Sequence, residues 1–211
     1  QRLADGAARR GETARQQHWQ REIIRADAAA GSARTERTRY LAAHAQLALA
    51  TPARDAFRGV QLLAPLKKSL AVKRDSLETA LAAYKLAADY RVADVTTRAT
   101  FEMAELYRTL AGDLMASQRP GKVEGEALEQ YELLLEEQAF PFEEQAITVH
   151  QANAARARDG VYDDGVKASY AALAELNPGR YGKTELAQGV VDSLTALEPP
   201  PAAAGAPGDA P

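Results

Sequence analysis

Apolar residues recur at spacings of three and four along most of the chain, which predicts amphipathic helices and no sheet. Residues 1–30 read as one helix with Trp19, Ile23 and Ile24 as its apolar patch, its start weakened by Gly6 and Gly11. Gly31-Ser32 predicts a break, with Gly as helix stop and Ser32 as the next N-cap. A second helix is expected at 33–50, carrying Tyr40, Leu41, Leu47 and Leu49. Thr51-Pro52 reads as a new start, because Pro suits the first helical position. Pro65 should kink or restart the helix that follows, and the pattern from Leu66 to about Tyr90 allows one long helix.

Val92-Ala93-Asp94 is a short connection, with Asp94 as cap for a helix at 95–117. Gln118 to Gly121 ends that helix. Helices are then expected at 124–138 and 142–158, separated by a turn at Phe140-Pro141-Phe142. Asp159-Gly160 closes the second, Asp163 or Asp164 starts a last strong helix to about 176, and Asn177-Pro178-Gly179 stops it. A weak short helix is expected at 182–197, around Leu186 to Leu197. The Pro- and Ala-rich end, 198–211, cannot bury a core and is expected to be disordered. Three segments, 82–89, 129–136 and 168–175, each place a Tyr before an aliphatic run. Tyr84, Tyr131 and Tyr170 stand 47 and 39 residues apart, in the range of helix-pair repeats. The organisation that follows is an N-terminal helical hairpin or long helix at 1–75, helical repeats at 76–181, the weak helix, and the tail.

Composition changes this picture little. The chain of 211 residues is 46% hydrophobic and 26% charged, with only 6% aromatic and abundant Ala, which suits closely approaching helices. Cysteine is absent, so disulfides, thiolate metal sites and a Cys nucleophile are excluded. No apolar run is long enough to span a membrane. The chain begins at Gln1 with no visible signal peptide, which suggests a processed protein or a piece of a longer one. Charge is unevenly spread: residues 1–91 hold 17 Lys and Arg against 9 Asp and Glu, a net of +8, and residues 92–211 hold 9 against 20, a net of −11. The bases are scattered among acids and Ala, which reads as solvated helix surface and not as a nucleic-acid site. Eight glutamates between 124 and 144 have no base among them, which favours a basic partner.

The helix pairs with small residues at the contacts and a closing Pro resemble tetratricopeptide repeats (TPR). Residues 99–107 look like a first helix of such a unit, and 170–178 like a second helix with its terminal Pro. The stretches 64–69, 95–97, 131–144 and 159–163 are similar to the C-terminal part of large bacterial TPR proteins of the cell envelope, which accompany Tol–Pal or ExbB–ExbD-type complexes and gliding machinery. The resemblance implies an all-α fold of antiparallel hairpins stacked as a right-handed solenoid. It implies a periplasmic or envelope-associated, non-enzymatic scaffold that binds a protein, possessing no cofactor. With the repeats in register, the helices at 95–117 and 142–158 line the groove, and Glu102, Arg108, Glu143, His150 and Asn153 are its partner contacts. Gly165 departs from the pattern, where a bulky aromatic is expected, so the last repeat should pack loosely. The rival reading makes 33–90 a spacer or oligomerisation arm.

Candidate chemistry is sparse. His18, His44 and His150 are far apart, and neither a His-Glu-x-x-His nor a Glu-x-x-His pair occurs, so no metal site is expected. Gly121-Lys122 lacks the upstream glycine of a phosphate loop, and no Gly-x-Ser-x-Gly elbow is present. The paired glutamates 136/137 and 143/144 have no companion nucleophile, so no catalytic residue is assigned.

Overall fold

A computed structural model describes residues 1–121 and 124–183, and all of the regular structure there is helical. The elements are α1 (Arg2–Arg9), α2 (Thr13–Ala29), α3 (Glu36–Gly59), α4 (Leu66–Ala88), α5 (Ala93–Met115), α6 (Glu126–Ala154), α7 (Asp164–Leu176) and the single turn α8 (Pro178–Tyr181). From residue 184 onward, the expected weak helix and tail lie outside the described residues.

Several boundaries differ from those read off the sequence. The first helix is divided at Gly11, whose φ of +71° takes the left-handed conformation. Thr35, not Ser32, caps α3: its hydroxyl accepts the Thr38 N–H at 3.2 Å, and the Thr38 hydroxyl accepts the Thr35 N–H at 3.1 Å. Asp94 lies inside α5 and does not cap it; its Oδ2 stands 3.0 Å from His44 Nε2. Neither Pro52 nor Pro141 ends a helix; α3 and α6 run through them. Each proline removes one backbone donor, but the buried stripe on either side continues without a phase change. In α3 that stripe is Ala43, Ala50 and Phe57, one heptad apart. In α6 it is Leu135, Ala139, Phe142, Ala146, His150 and Asn153, at spacings of three and four. Burying a continuous face outweighs the local cost of a proline. Pro65 does restart the chain, and α4 begins at the next residue.

Contacts between elements give the arrangement. Each helix packs on its neighbours in sequence, and α5 also touches α3 and α7. Polar pairs show the directions. His44–Asp94, Arg54–Glu102 and the Gln118 N–H on Leu62 O advance together, so α3 and α5 run parallel. Thr97–Asp163 and Arg108–Glu175 advance together, so α5 and α7 are parallel as well. Lys73–Asp113 and the Thr96 hydroxyl on Ala88 O oppose each other, so α4 is antiparallel to α5. The fold is a row of helices alternating in direction. One core of Phe57, Leu62, Leu77, Tyr84, Val95, Leu106, Leu110 and Leu114 runs through α3, α4 and α5, with Ala139 added from α6. The 75/76 boundary falls inside α4, between residues that serve this same core.

The core also takes in a lysine. Lys73 occupies a position of the apolar stripe Leu66, Leu70, Leu77, Ala80, Tyr84 and Ala87, and its side chain has no exposed surface. Its Nζ donates to Phe57 O at 2.7 Å and Val60 O at 2.8 Å, meets Asp113 Oδ2 at 2.7 Å, and lies 4.2 Å from the Phe57 ring centroid. The two donations close the carbonyl end of α3, and the Asp113 carboxylate faces the remaining charge.

Candidate functional site

The last long helix, α7, is fastened at its start by a buried polar network. Asp163 caps it, accepting the Val166 N–H at 3.0 Å through Oδ1 and the Thr97 hydroxyl at 2.6 Å through Oδ2. Asn153 Nδ2 donates to Thr97 O at 3.0 Å, Gly165 O at 3.2 Å and Ser169 Oγ at 2.8 Å. His150 bridges Ser169 Oγ at 3.3 Å and Glu105 Oε1 at 3.2 Å, while Arg108 binds Glu175 and reaches Glu105 at 3.7 Å. The small residue at Gly165 is what lets α7 come this close. A Cβ there would stand 2.7 Å from the Thr97 carbonyl carbon and 2.9 Å from Arg98 N. The expected loose packing is therefore corrected: the backbones of α5 and α7 approach closely here, and no aromatic would fit.

Ser169, His150 and Glu105 stand in the order of nucleophile, base and carboxylate. Ser169 and His150 are wholly enclosed, and the Ser169 oxygen already accepts from Asn153, so the chain of bonds braces three helices. Burial would raise the Glu105 carboxyl, but the hydrogen bond from His150 and the nearby Arg108 charge outweigh it and hold that group below the usual carboxylate range. A depressed folded value gives stability that is complete above the ordinary value of 4.5 and is lost as the pH falls through the folded one. Melting temperature should therefore be insensitive to Glu105 between roughly pH 6 and 8 in its ionisation and decline below about pH 4.5. Glu105→Gln should flatten part of that acid limb in a thermal melt series; an unchanged limb would show that the carboxylate is not coupled to folding.

Beyond this network α7 ends while α5 and α6 continue. α7 has 13 residues, against 23 in α5 and 29 in α6. The groove it occupies opens past Arg108 into a cleft of about 490 Å³. Its floor and walls are Ala111, Gly112, Met115, Ala139, Phe140 and Leu176; Arg108, Glu136 and Glu143 stand at its rim. Leu133 precedes Glu136 and Phe140 by three and seven residues on the same face of α6. It is 59% exposed, and Phe140 58%, so an apolar strip leads out of the cleft along α6.

Gly112 is the unexplained residue of this floor. It lies in the last turn of α5, is exposed, and a Cβ built on it meets nothing within 4 Å. A helical glycine costs about 0.5–1 kcal/mol relative to Ala. Gly112→Ala should accordingly stabilise the chain by about that amount in urea unfolding; a loss would mean that the cleft is filled or strained there.

The five residues expected to contact a partner separate into two groups. Glu102 is nearly buried between Arg54 and Arg98 and lines a separate, shallow pocket with His44, Leu47 and Thr51, whereas His150 and Asn153 are fully buried in the network and hold helices together. Arg108 and Glu143 do meet, at the rim of the cleft. Sequence reasoning missed Gly112, Met115, Ala139, Phe140 and Leu176. The reason is the turn placed at Pro141, which took Phe140 out of any helix and put Glu136 and Glu143 on different ones. The spacing of Phe140 and Glu143 from Leu133 and Glu136 on one uninterrupted helix was the available signal. Among the described residues no group of three or more His, Asp or Glu side chains could hold a metal ion, and no helix is long and apolar enough to cross a membrane.

Searches for similar proteins return no matching family model, curated protein or solved structure.

Proposed function

We propose that this chain is a non-enzymatic helical scaffold that binds a segment of another protein in the cleft beyond α7. The observation that carries the reading is the unfilled half of the α5/α6 groove, floored by a glycine that the fold itself does not need. Close approach of a ligand backbone is one established use of such a glycine. The alternating row, with α3, α5 and α7 parallel and in contact, supports a TPR-like right-handed solenoid with longer helices than usual. On the resemblance of residues 64–181 to envelope TPR proteins, the partner is a subunit of a Tol–Pal or ExbB–ExbD-type complex, and the compartment is periplasmic or envelope-associated.

Gly112→Trp tests the cleft directly, because the position is open and the added ring fills the floor. Binding of such subunits to the full chain should weaken by at least about tenfold in the variant with its circular dichroism unchanged. Undiminished binding would refute the cleft. The second reading, a spacer arm, is favoured by the 24- and 23-residue helices α3 and α4. It requires an elongated or dimeric particle in small-angle scattering, and a compact monomer would remove it.

A further inference from the structure

We propose that the occupant of the cleft is a basic, amphipathic helical segment of a partner protein, seated with its apolar face on Gly112 and Ala139 and its Lys or Arg side chains against Glu136 and Glu143. The inference rests on the cleft being the docking site and adds the chemistry of what docks.

The shape argument comes from α7. Its 13 residues already fill the first half of the same groove, lying on α5 and α6 together. The open half is therefore cut to receive a helix. Ala111, Gly112 and Ala139 keep its floor low, and small residues allow helix axes to approach to about 8 Å. Phe140 and Met115 supply the apolar surface, and Leu133 extends it outward.

Charge selects the sign. From Glu124 to Ala155 the chain has eight glutamates and no Lys or Arg. Among the described residues only Glu132 of the eight pairs with a base, Arg119 at 3.6 Å. Arg108, the one cation at the rim, is engaged by Glu175 and Glu105. Glu136 and Glu143 are seven residues apart, about 10 Å along α6, so they suit bases two turns apart on a facing helix. The chain's own C-terminal residues are a poor match: from Thr184 to Pro211 they contain Glu185, Asp192, Glu198 and Asp209 and no Lys or Arg. Like charges across an interface oppose binding.

The test uses the full chain and two fluorescein-labelled peptides of about 14 residues sharing one Leu/Ala helical pattern, one flanked by Lys and the other by Glu. Anisotropy at roughly 50 and 300 mM NaCl should show the Lys peptide binding at least about tenfold tighter at low salt, with the advantage shrinking at high salt. A Glu136→Lys/Glu143→Lys double variant should reverse the preference. Gly112→Trp should abolish binding, and Met115→Arg provides a second block if that variant misfolds. Equal binding of both peptides, lost in Gly112→Trp, would keep the docking cleft and overturn the basic occupant. Lys-peptide binding that survives both blocks would overturn the cleft itself. A gain in affinity for either peptide in a Val190→Asp/Leu194→Asp chain would assign the cleft to the C-terminal segment, and a concentration-dependent dimer lost in Gly112→Trp would assign it to a second copy. Either result overturns the proposal.

Discussion

Replacing Lys73 with Ala should cost about 3–5 kcal/mol, from a core cavity together with buried carbonyls left without their donor. The side chain is fully enclosed, so its loss leaves a cavity the length of its aliphatic stem. It also leaves the Val60 carbonyl without that donor, weakens the closure of Phe57 O, and deprives Asp113 of its cation. Phe57 retains the Val60 N–H at 3.2 Å, so the end of α3 should loosen and not unravel completely. Lys73→Met keeps most of the volume and should lose about 2–3 kcal/mol, since the apolar substitute satisfies none of the three acceptors. For a chain of this size the Ala variant should melt roughly 10 °C lower. Urea unfolding of both variants checks the prediction. A cost below about 1 kcal/mol in Lys73→Ala would mean that the two bonds and the ion pair are not formed in solution.

Gly165→Ala should destabilise by about 2–3 kcal/mol, as overpacking of a tight contact does. The atoms it would meet are backbone, the Thr97 carbonyl carbon at 2.7 Å and Arg98 N at 2.9 Å, and backbone cannot swing aside as a long side chain can. To relieve the clash α7 must lift from α5. That would stretch the Thr97–Asp163 and Asn153–Gly165 bonds that fasten it. The same substitution at Gly112, on the opposite reach of α5, is expected to stabilise. Two Gly→Ala changes of opposite sign separate intrinsic helix propensity, which favours both, from packing, which forbids one. Amide hydrogen exchange localises the effect: the loss should fall on α7 and the end of α6, and protection in α3 and α4 should be unchanged. Uniform loss across the chain would contradict this account.

The helical class and the positions of α4, α5 and α7 were legible because periodicity, Pro65, and the Asp163 cap all point the same way. The failures have a common cause. At Pro52 and Pro141 a local breaker was allowed to outrank a continuous apolar stripe, although the stripe has no phase change at either proline. Lys73 was illegible because a lysine at a stripe position looks like a solvated interruption. Only the carbonyls of α3 and Asp113, brought from 13 to 40 residues away, make it a core residue. Gly165 was read as a defect because its neighbour across the contact, Thr97, is 68 residues distant. Of the candidate contacts, Arg108 and Glu143 could be placed at the surface. The polarity of Glu102, His150 and Asn153 suggested exposure, but each is buried and bonded across helices, Asn153 through its Nδ2.

The partners of Lys73 also bear on the order in which the protein is made. Phe57, Val60, Lys73 and Asp113 all precede α6, and among the described residues α6 adds Ala139 to the shared core and packs Phe142 against it. A nascent chain that has released residues up to about 115 from the ribosome already holds every group needed to enclose the lysine. The central three helices can therefore close while synthesis continues, and α6 and α7 are added to a finished surface. Contacts between sequence neighbours keep this assembly fast.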